Sequence, residues 1–310
     1  MTTTQDSALL SLKGSPARQR RERFWRLFYG GAAATSILIS TAIVLSLIGE
    51  AWTFISQVDL ASLWDIGWFP RRGAYDIRTI VLGSLLVAAI AMLVATPLGL
   101  GAAMYLSEYA RPSVRRTLKP ILEILAGIPS VVLGYFALTF ITPELLRPIF
   151  GNSIAGFNML AAGIGVGILT IPLVASVSED SLRAVPRSLR EASYGLGATR
   201  MSTSLRVVFP AAVSGIVAAL ILGLSRAIGE TMVVAIAAGS TGGSLFSLNV
   251  LQPGQTMTAA MAALAIGSDQ VRGDDLAFQS LFFVGLLLFL ITLLLNVASE
   301  RFVRRVREKY

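Results

Sequence analysis

Glu191-Ala192-Ser193-Tyr194-Gly195-Leu196-Gly197-Ala198, closed by Val207-Val208-Phe209-Pro210, is a small-residue segment set between two long apolar runs. Upstream the chain carries no charge from Pro148 to Ser178, and downstream none from Val207 to Ser225. Arginines crowd the interval, at Arg183, Arg187, Arg190, Arg200 and Arg206. The segment holds no ligand set for chemistry of its own. A basic loop between greasy segments reads as a docking element on the cytoplasmic side of a membrane protein.

The composition agrees with that setting. The 310 residues are 54% hydrophobic and only 14% charged, where an ordinary soluble domain has about 25% charged residues. Further uncharged runs cover Leu27 to Gly49, Thr79 to Ser107, Ile124 to Pro143, Thr231 to Ser268 and Leu276 to Ser299. A helix needs about 20 apolar residues to cross a bilayer core of about 30 Å. The chain is therefore predicted to be an all-α, polytopic membrane protein. The first run is longer than the roughly 7–15 residues of a signal-peptide core, and no small-residue cleavage site follows it, so it is read as a retained first helix. With no cysteine and no histidine, disulfides, thiolate or imidazole metal ligands and Ser-His triads are excluded. Neither a metal nor a cofactor is expected, and the chain by itself is not expected to be an enzyme. A net charge of +8 would suggest nucleic acid in a soluble protein. Here topology explains it, with membrane lipid rather than nucleic acid as the partner.

The runs predict about six transmembrane helices, near 27–50, 78–106, 121–141, 158–178, 211–238 and 276–299. Segments 141–158 and 240–275 read as loops, with room for re-entrant or lateral helices. Cytoplasmic loops carry the excess of Lys and Arg. One side takes the N-terminal cluster from Lys13 to Arg26, the loop from Arg111 to Lys119, the loop from Arg183 to Arg206 and the tail from Arg301 to Lys309, twenty basic residues in all. The other side takes five, Arg71, Arg72, Arg78, Arg147 and Arg272. Both termini are accordingly expected in the cytoplasm. The outer segment from Glu50 to Asp76 carries Trp52, Trp64, Trp68 and Tyr75. Such aromatics commonly sit at headgroup level, so an interfacial anchor is expected there, with a periplasmic binding surface as the alternative.

The loop from about Glu179 to Pro210 resembles the signature loop of type I ABC-importer permeases: Glu-Ala-Ala, three residues, Gly, nine residues, Ile, any residue, Leu-Pro. Every spacing is kept here, with Ser193 in place of the second Ala, Val207 in place of Ile and Phe209 in place of Leu. The resemblance implies a permease fold whose coupling helix, carried by Glu191, Ala192, Ser193, Gly197, Ala198 and Pro210, docks cytoplasmic ATP-binding subunits. The residue types suit the task. Small side chains allow close approach to a groove, glycine tolerates a positive φ at the turn, and a proline opening the next helix loses no needed N–H. The surrounding arginines are expected to pair with acidic residues of that partner. An ordinary turn between two spans is the alternative. The chain has no G-x-x-x-x-G-K-[ST] phosphate loop, so the ATPase must be another polypeptide. The patterns Gly163-Ile164-Gly165-Val166-Gly167 and Gly99-Leu100-Gly101 lie in apolar runs and read as close helix packing.

Three further stretches, Glu123 to Ser130, Ser188 to Gly195 and Ser225 to Met232, resemble the phosphate-specific permeases. The Ala126-Gly127-Ile128-Pro129-Ser130 and Arg226-to-Met232 runs and the Gln252-Pro253-Gly254 turn are nearer the PstC-like than the PstA-like branch. The resemblance covers roughly Ile77 to Glu300. It implies a multi-pass subunit of the bacterial inner membrane in an ATP-driven importer of inorganic phosphate, working with a second, PstA-like permease and a periplasmic phosphate-binding protein. The organisation expected is a cytoplasmic segment 1–26, a first helix with its Trp-rich outer segment 27–76, a permease domain 77–300 containing the loop 179–210, and a basic tail 301–310.

Arg226 falls inside an apolar run, 15 steps from Ala211, or roughly 22 Å along a helix. A guanidinium near the bilayer centre costs at least ~2.5–3.5 kcal/mol, so it must face a protein interior. Its fixed charge and fork of donors match phosphate oxygens. The substrate-translocation set is therefore Arg226, with Glu230 at i+4 to hold the fork in an empty pathway, flanked by Ser225 and Thr231. The alternative is an Arg–Glu pair that locks the helix to itself or to the partner permease. Glu123 reads as an interfacial carboxylate paired with a neighbouring arginine. Pro97, Pro129 and Pro172 are expected to kink or open three spans. Rival functions are an importer permease for another solute (sulfate, molybdate, an amino acid) and an ion-driven secondary carrier, although no inverted halves are visible.

Overall fold

A computed structural model describes residues 16–64, 67–239, 243–266 and 275–306. Lys13, Arg272, Arg307 and Lys309, used in the charge count, lie outside them, as do residues 1–15 of the N-terminal segment and 307–310 of the tail. Helix α1 spans Pro16–Gln57. Its part up to Gly49 belongs to a unit of its own, in which Trp25 stacks on Tyr29 and Phe24 on Phe28, with ring centroids 5.7 and 6.4 Å apart.

The second unit, Glu50–Tyr310, holds the helices α2 (Ile77–Tyr109), α3 (Pro112–Ala126), α4 (Ser130–Ser153), α5 (Met159–Ala184), α6 (Arg187–Gly195), α7 (Arg200–Ala211), α8 (Val213–Ile228), α9 (Met232–Ala237), α10 (Met257–Ile266) and α11 (Asp275–Val306). Five of the described helices, α1, α2, α4, α5 and α11, are long and apolar enough to cross a membrane. A sixth span exists if α7 and α8, bent by 71° at Ala212, count as one.

Three expected elements differ from the structure. The helix predicted at 121–141 is two: α3 ends at Ala126, and Pro129, which has no N–H to donate, stands immediately before α4. Helix α3 has no fully buried residue and a charged face carrying Arg115, Arg116 and Lys119. The predicted loop at 141–158 is helical to Phe150, because Pro143 sits in a widened, π-helical stretch (Ala137–Leu146) where the Arg147 N–H reaches the Thr142 carbonyl five residues back. The helix predicted at 211–238 breaks between Ile228 and Met232. Helix α10 occupies part of 240–275, where the sequence left room for a short helix. Pro97 and Pro172 lie inside continuous α2 and α5, so of the three prolines singled out, only Pro129 separates two helices.

Helices α2 and α5 form the centre of the bundle. Their seam is built of small residues, as the glycine patterns predicted. A Cβ at Gly163 would lie 2.6 Å from the Ile90 Cβ, one at Gly167 2.8 Å from the Val94 Cβ, and one at Gly99 2.8 Å from Val174 Cγ1. Between apolar lipid tails, helices associate through this kind of close van der Waals contact rather than through hydrophobicity.

The outer aromatic segment divides. Trp52 and Trp64 are exposed, as anchors at headgroup level would be. Trp68 and Tyr75 are instead core residues, packed edge-to-face 6.0 Å apart, with Phe54 5.1 Å from Tyr75. They are held there by a three-stranded sheet of β1 (Gly67–Phe69), β2 (Ala74–Tyr75) and β3 (Ser244–Leu245), in which Trp68 pairs with both Tyr75 and Ser244. A period-2 strand buries alternate side chains, and a segment this short gave no such signal.

Candidate functional site

The Glu191 segment folds as helix α6 followed by a turn. Gly197 takes φ +80, the left-handed conformation expected of it. The Ala198 N–H bonds to the Ser193 carbonyl (3.1 Å) and the Gly197 N–H to the Tyr194 carbonyl (2.9 Å), a Schellman closure that satisfies the last carbonyls of the helix. Thr199 then caps α7 by accepting from the Ser202 N–H. Ser193 and Thr203 share a 2.8 Å hydroxyl contact that fastens α6 to α7. Glu191, Ala192, Gly195, Gly197 and Pro210 are exposed, and Leu196 at the tip is 91% exposed. Pro210 sits in the last turn of α7, three residues before α8 opens, rather than at the opening of that helix. Glu191 has no ion pair among the described residues.

The basic residues around this helix are not all free for a partner, contrary to the expectation from sequence. Arg190 is turned inward. Its Nη2 donates to Glu108 Oε1 (2.8 Å) and to the Leu182 carbonyl (2.8 Å), Nη1 to the Val185 carbonyl (2.7 Å) and Nε to Glu108 Oε2 (3.3 Å). Glu108 is buried at the end of α2, and Leu182 belongs to the last turn of α5. Arg200 lies over the Tyr109 ring, 5.1 Å from its centroid. Sequence reasoning missed Glu108. Its only signal is a lone carboxylate ending an apolar run, and the pairing spans 82 residues.

A second buried carboxylate, Glu179 on α5, receives Arg115 Nη2 at 2.7 Å and Lys119 Nζ at 2.8 Å from α3, with Arg183 Nε 3.8 Å away. Lys119 also reaches Asp180 (2.7 Å). Burial acts to lower the Lys119 pKa, but its bonds to Asp180 and Glu179 outweigh that and raise it above the ordinary 10.5. A cavity of about 450 Å³ opens beside this cluster, lined by Arg115, Arg116, Lys119, Arg183 and Glu123 among others. Glu123 is exposed and makes no ion pair among the described residues, so the pairing expected for it is not formed.

Ser225 and Arg226 lie in the last turn of α8, and Glu230 and Thr231 lie in the break before α9. The continuous-helix geometry assumed for Arg226 and Glu230 is not present. Arg226 lies in the last turn of α8, a position that a cation shares favourably with the helix dipole. Its side chain is exposed and forms no ion pair among the described residues. Glu230 is half-buried; its carboxylate accepts from the Val233 N–H (3.4 Å), and its carbonyl from the Thr258 hydroxyl on α10 (2.7 Å). Ser225 donates to Asn296 Oδ1 on α11 (3.3 Å). Thr258 and Asn296 had no distinguishing sequence context. Among the described residues no group of three or more Asp or Glu could hold a metal ion.

Residues 95–308 match the family model described as binding-protein-dependent transport system inner membrane component. The chain is 31% identical over 303 residues to the phosphate transport system permease protein PstC of Mesorhizobium japonicum, covering 90% of each. It is 36% identical over 256 residues to PstC 1 of Mycobacterium tuberculosis, covering 76% of this chain and 75% of that one. Among solved structures, a bacterial alginate ABC transporter in complex with an alginate pentasaccharide-bound periplasmic protein aligns with a TM-score of 0.65 at 14% identity, over 94% of this chain and 98% of that chain. The inward-facing MetNI methionine ABC transporter aligns with a TM-score of 0.55 at 22% identity, over 74% of this chain and 97% of that one. These structural likenesses establish the fold.

Proposed function

This chain belongs to the family of binding-protein-dependent transport system inner membrane components, and from that premise we propose that it is the permease subunit of an ATP-driven importer of inorganic phosphate. The observation that carries the reading is the near full-length similarity to PstC proteins of several bacteria. In this reading the chain supplies half of a translocation pathway in the inner membrane, with both termini in the cytoplasm. A PstA-like permease completes the pathway, a periplasmic binding protein delivers the anion, and ATP-binding subunits grip helix α6.

The α8–α9 break gives that reading a chemistry. A discontinuous helix inside a membrane is tolerated where it lines a cavity or is buried in protein, and transporters use such breaks to meet ions. Here the break is held by Thr258 and Glu230, leaving the Arg226 guanidinium exposed on the subunit surface. Facing a second permease, that guanidinium offers bidentate donors to phosphate oxygens. Glu230 has its carboxylate engaged with the Val233 N–H, so Arg226 stays open to an anion in this state. The exposed Leu196 and the small residues of α6 leave room for the close approach of a groove on the ATPase.

The test is the purified complex in proteoliposomes. Phosphate delivered by the binding protein should stimulate ATP hydrolysis and be accumulated, while sulfate does neither. Stimulation by sulfate instead would reassign the substrate, and absence of an associated ATPase would overturn the importer reading.

A further inference from the structure

We infer that Glu108 and Arg190 form the mechanical joint through which movement of helix α6 is passed to the membrane-spanning helices, with Arg190 a positioning residue for transport rather than an ATPase contact. The inference rests on the permease reading above and adds to it the internal element that transmits the motion.

The geometry singles out this pair. Helix α6 has no fully buried residue of its own, and its apolar hold on the bundle is the half-buried Leu189 against the Leu182, Val185 and Val208 cluster. Arg190 compensates by projecting back from α6, placing four donor contacts on two different spans. Two go to the Glu108 carboxylate at the end of α2, and two to the Leu182 and Val185 carbonyls where α5 finishes. The Leu182 carbonyl otherwise takes only a long 3.4 Å bond from the Val185 N–H, so Arg190 reinforces the C-terminal end of α5, where carbonyls lack their usual i+4 donors. The Ser107 hydroxyl donates to Glu108 Oε1 (2.9 Å) and fixes the carboxylate. The Glu108 side chain is 5% exposed and that of Arg190 17%. A charge pair this withdrawn from water has a high cost of separation, which makes the joint stiff. Arg200 over Tyr109 adds a second tie from the same cytoplasmic segment to the same end of α2. Helices α2 and α5 are also the pair packed through Gly99, Gly163 and Gly167, so a push on either end moves the central pair of the bundle as one body. An inward-turned arginine whose donors are spent within its own chain is poorly suited to binding a partner and well suited to carrying load.

The experiment uses the whole complex with inorganic phosphate and reads phosphate imported per ATP hydrolysed. Glu108→Gln should leave ATP hydrolysis and co-purification of the ATPase near wild type while lowering that ratio about tenfold, a loss typical of a broken coupling element. Arg190→Lys, which keeps the charge but loses the fork, should fall between wild type and Arg190→Gln. The chain has no cysteine, so the Glu108→Cys, Arg190→Cys double variant can be bridged by a reversible bifunctional thiol reagent. The ratio should rise on bridging and fall again on reduction, a response that a merely structural role would not give. A wild-type ratio in Glu108→Gln, a parallel loss of hydrolysis and uptake, or indifference to bridging would overturn the inference. Failure of the wild-type complex to import phosphate would instead sink the substrate assignment, and the joint would then be read with the anion that is imported.

Discussion

Arg226 and Gly197 make the strongest single-residue claims. Arg226→Gln keeps the length of the side chain and removes its charge. We expect uptake to be lost while the complex assembles and the ATPase co-purifies; normal uptake would remove Arg226 from the pathway. Gly197 has open space around its Cα and φ +80, so a side chain there meets only backbone strain. Gly197→Ala should cost about 1 kcal/mol, read as a small fall in melting temperature, with Gly197→Asn costing less because asparagine visits this region more readily. Both positions were legible in the sequence, one as a charge in an apolar run and the other as a glycine at a fixed spacing. That Arg226 and Glu230 do not pair was not legible. An i, i+4 spacing implies a contact only while the helix continues, and α8 stops at Ile228.

At the scale of elements, the α2–α5 seam and the α3–α5 cluster carry the predictions. Gly167→Val would force its new methyls into Val94 and the Ala91 carbonyl, which would stand 3.0 Å from the added Cβ. Overpacking of this kind costs about 1–3 kcal/mol, measured as loss of thermal stability in detergent. Glu179→Ala would strand Arg115 and leave Lys119 with Asp180 alone, and we expect a loss of about 3 kcal/mol, the low end for a broken buried pair, because both cations keep about a quarter of their surface in water. The Lys119 contribution has a definite pH sign. Its folded pKa is raised, so its stabilisation is complete below the ordinary 10.5 and is lost as pH rises through the folded value. Lys119→Gln should therefore lower the melting temperature at neutral pH and flatten its fall above pH 10.5. The sequence exposed the glycine seam through its repeat. It gave no hint that Glu179 would be the buried partner, since its two α3 cations lie 64 and 60 residues away in the chain.

For the whole molecule, the charge asymmetry and the ABC-importer fold lead to an orientation that labelling can check. In this cysteine-free chain, Leu196→Cys on the α6 tip and Phe246→Cys next to the outer sheet are both exposed. An impermeant thiol reagent added to intact cells should label Phe246→Cys, and inverted vesicles should expose Leu196→Cys. The reverse pattern would invert the proposed topology and remove α6 from reach of ATP.

The sequence alone determined the solvent this protein folds in, the approximate number of its spans, the small-residue seam and the family loop. These are properties of composition and of short-range spacing, and they are set before any long-range contact forms. Only the tertiary structure decided where helices stop, which of the four outer aromatics are core, and which charges meet. Helix ends at Ala126 and Ile228, the sheet that buries Trp68, and the Glu108–Arg190 and Glu179–Arg115 pairs all depend on segments brought together from far apart in the chain. A buried charge is stable only beside its partner, and no local pattern records which distant residue that will be.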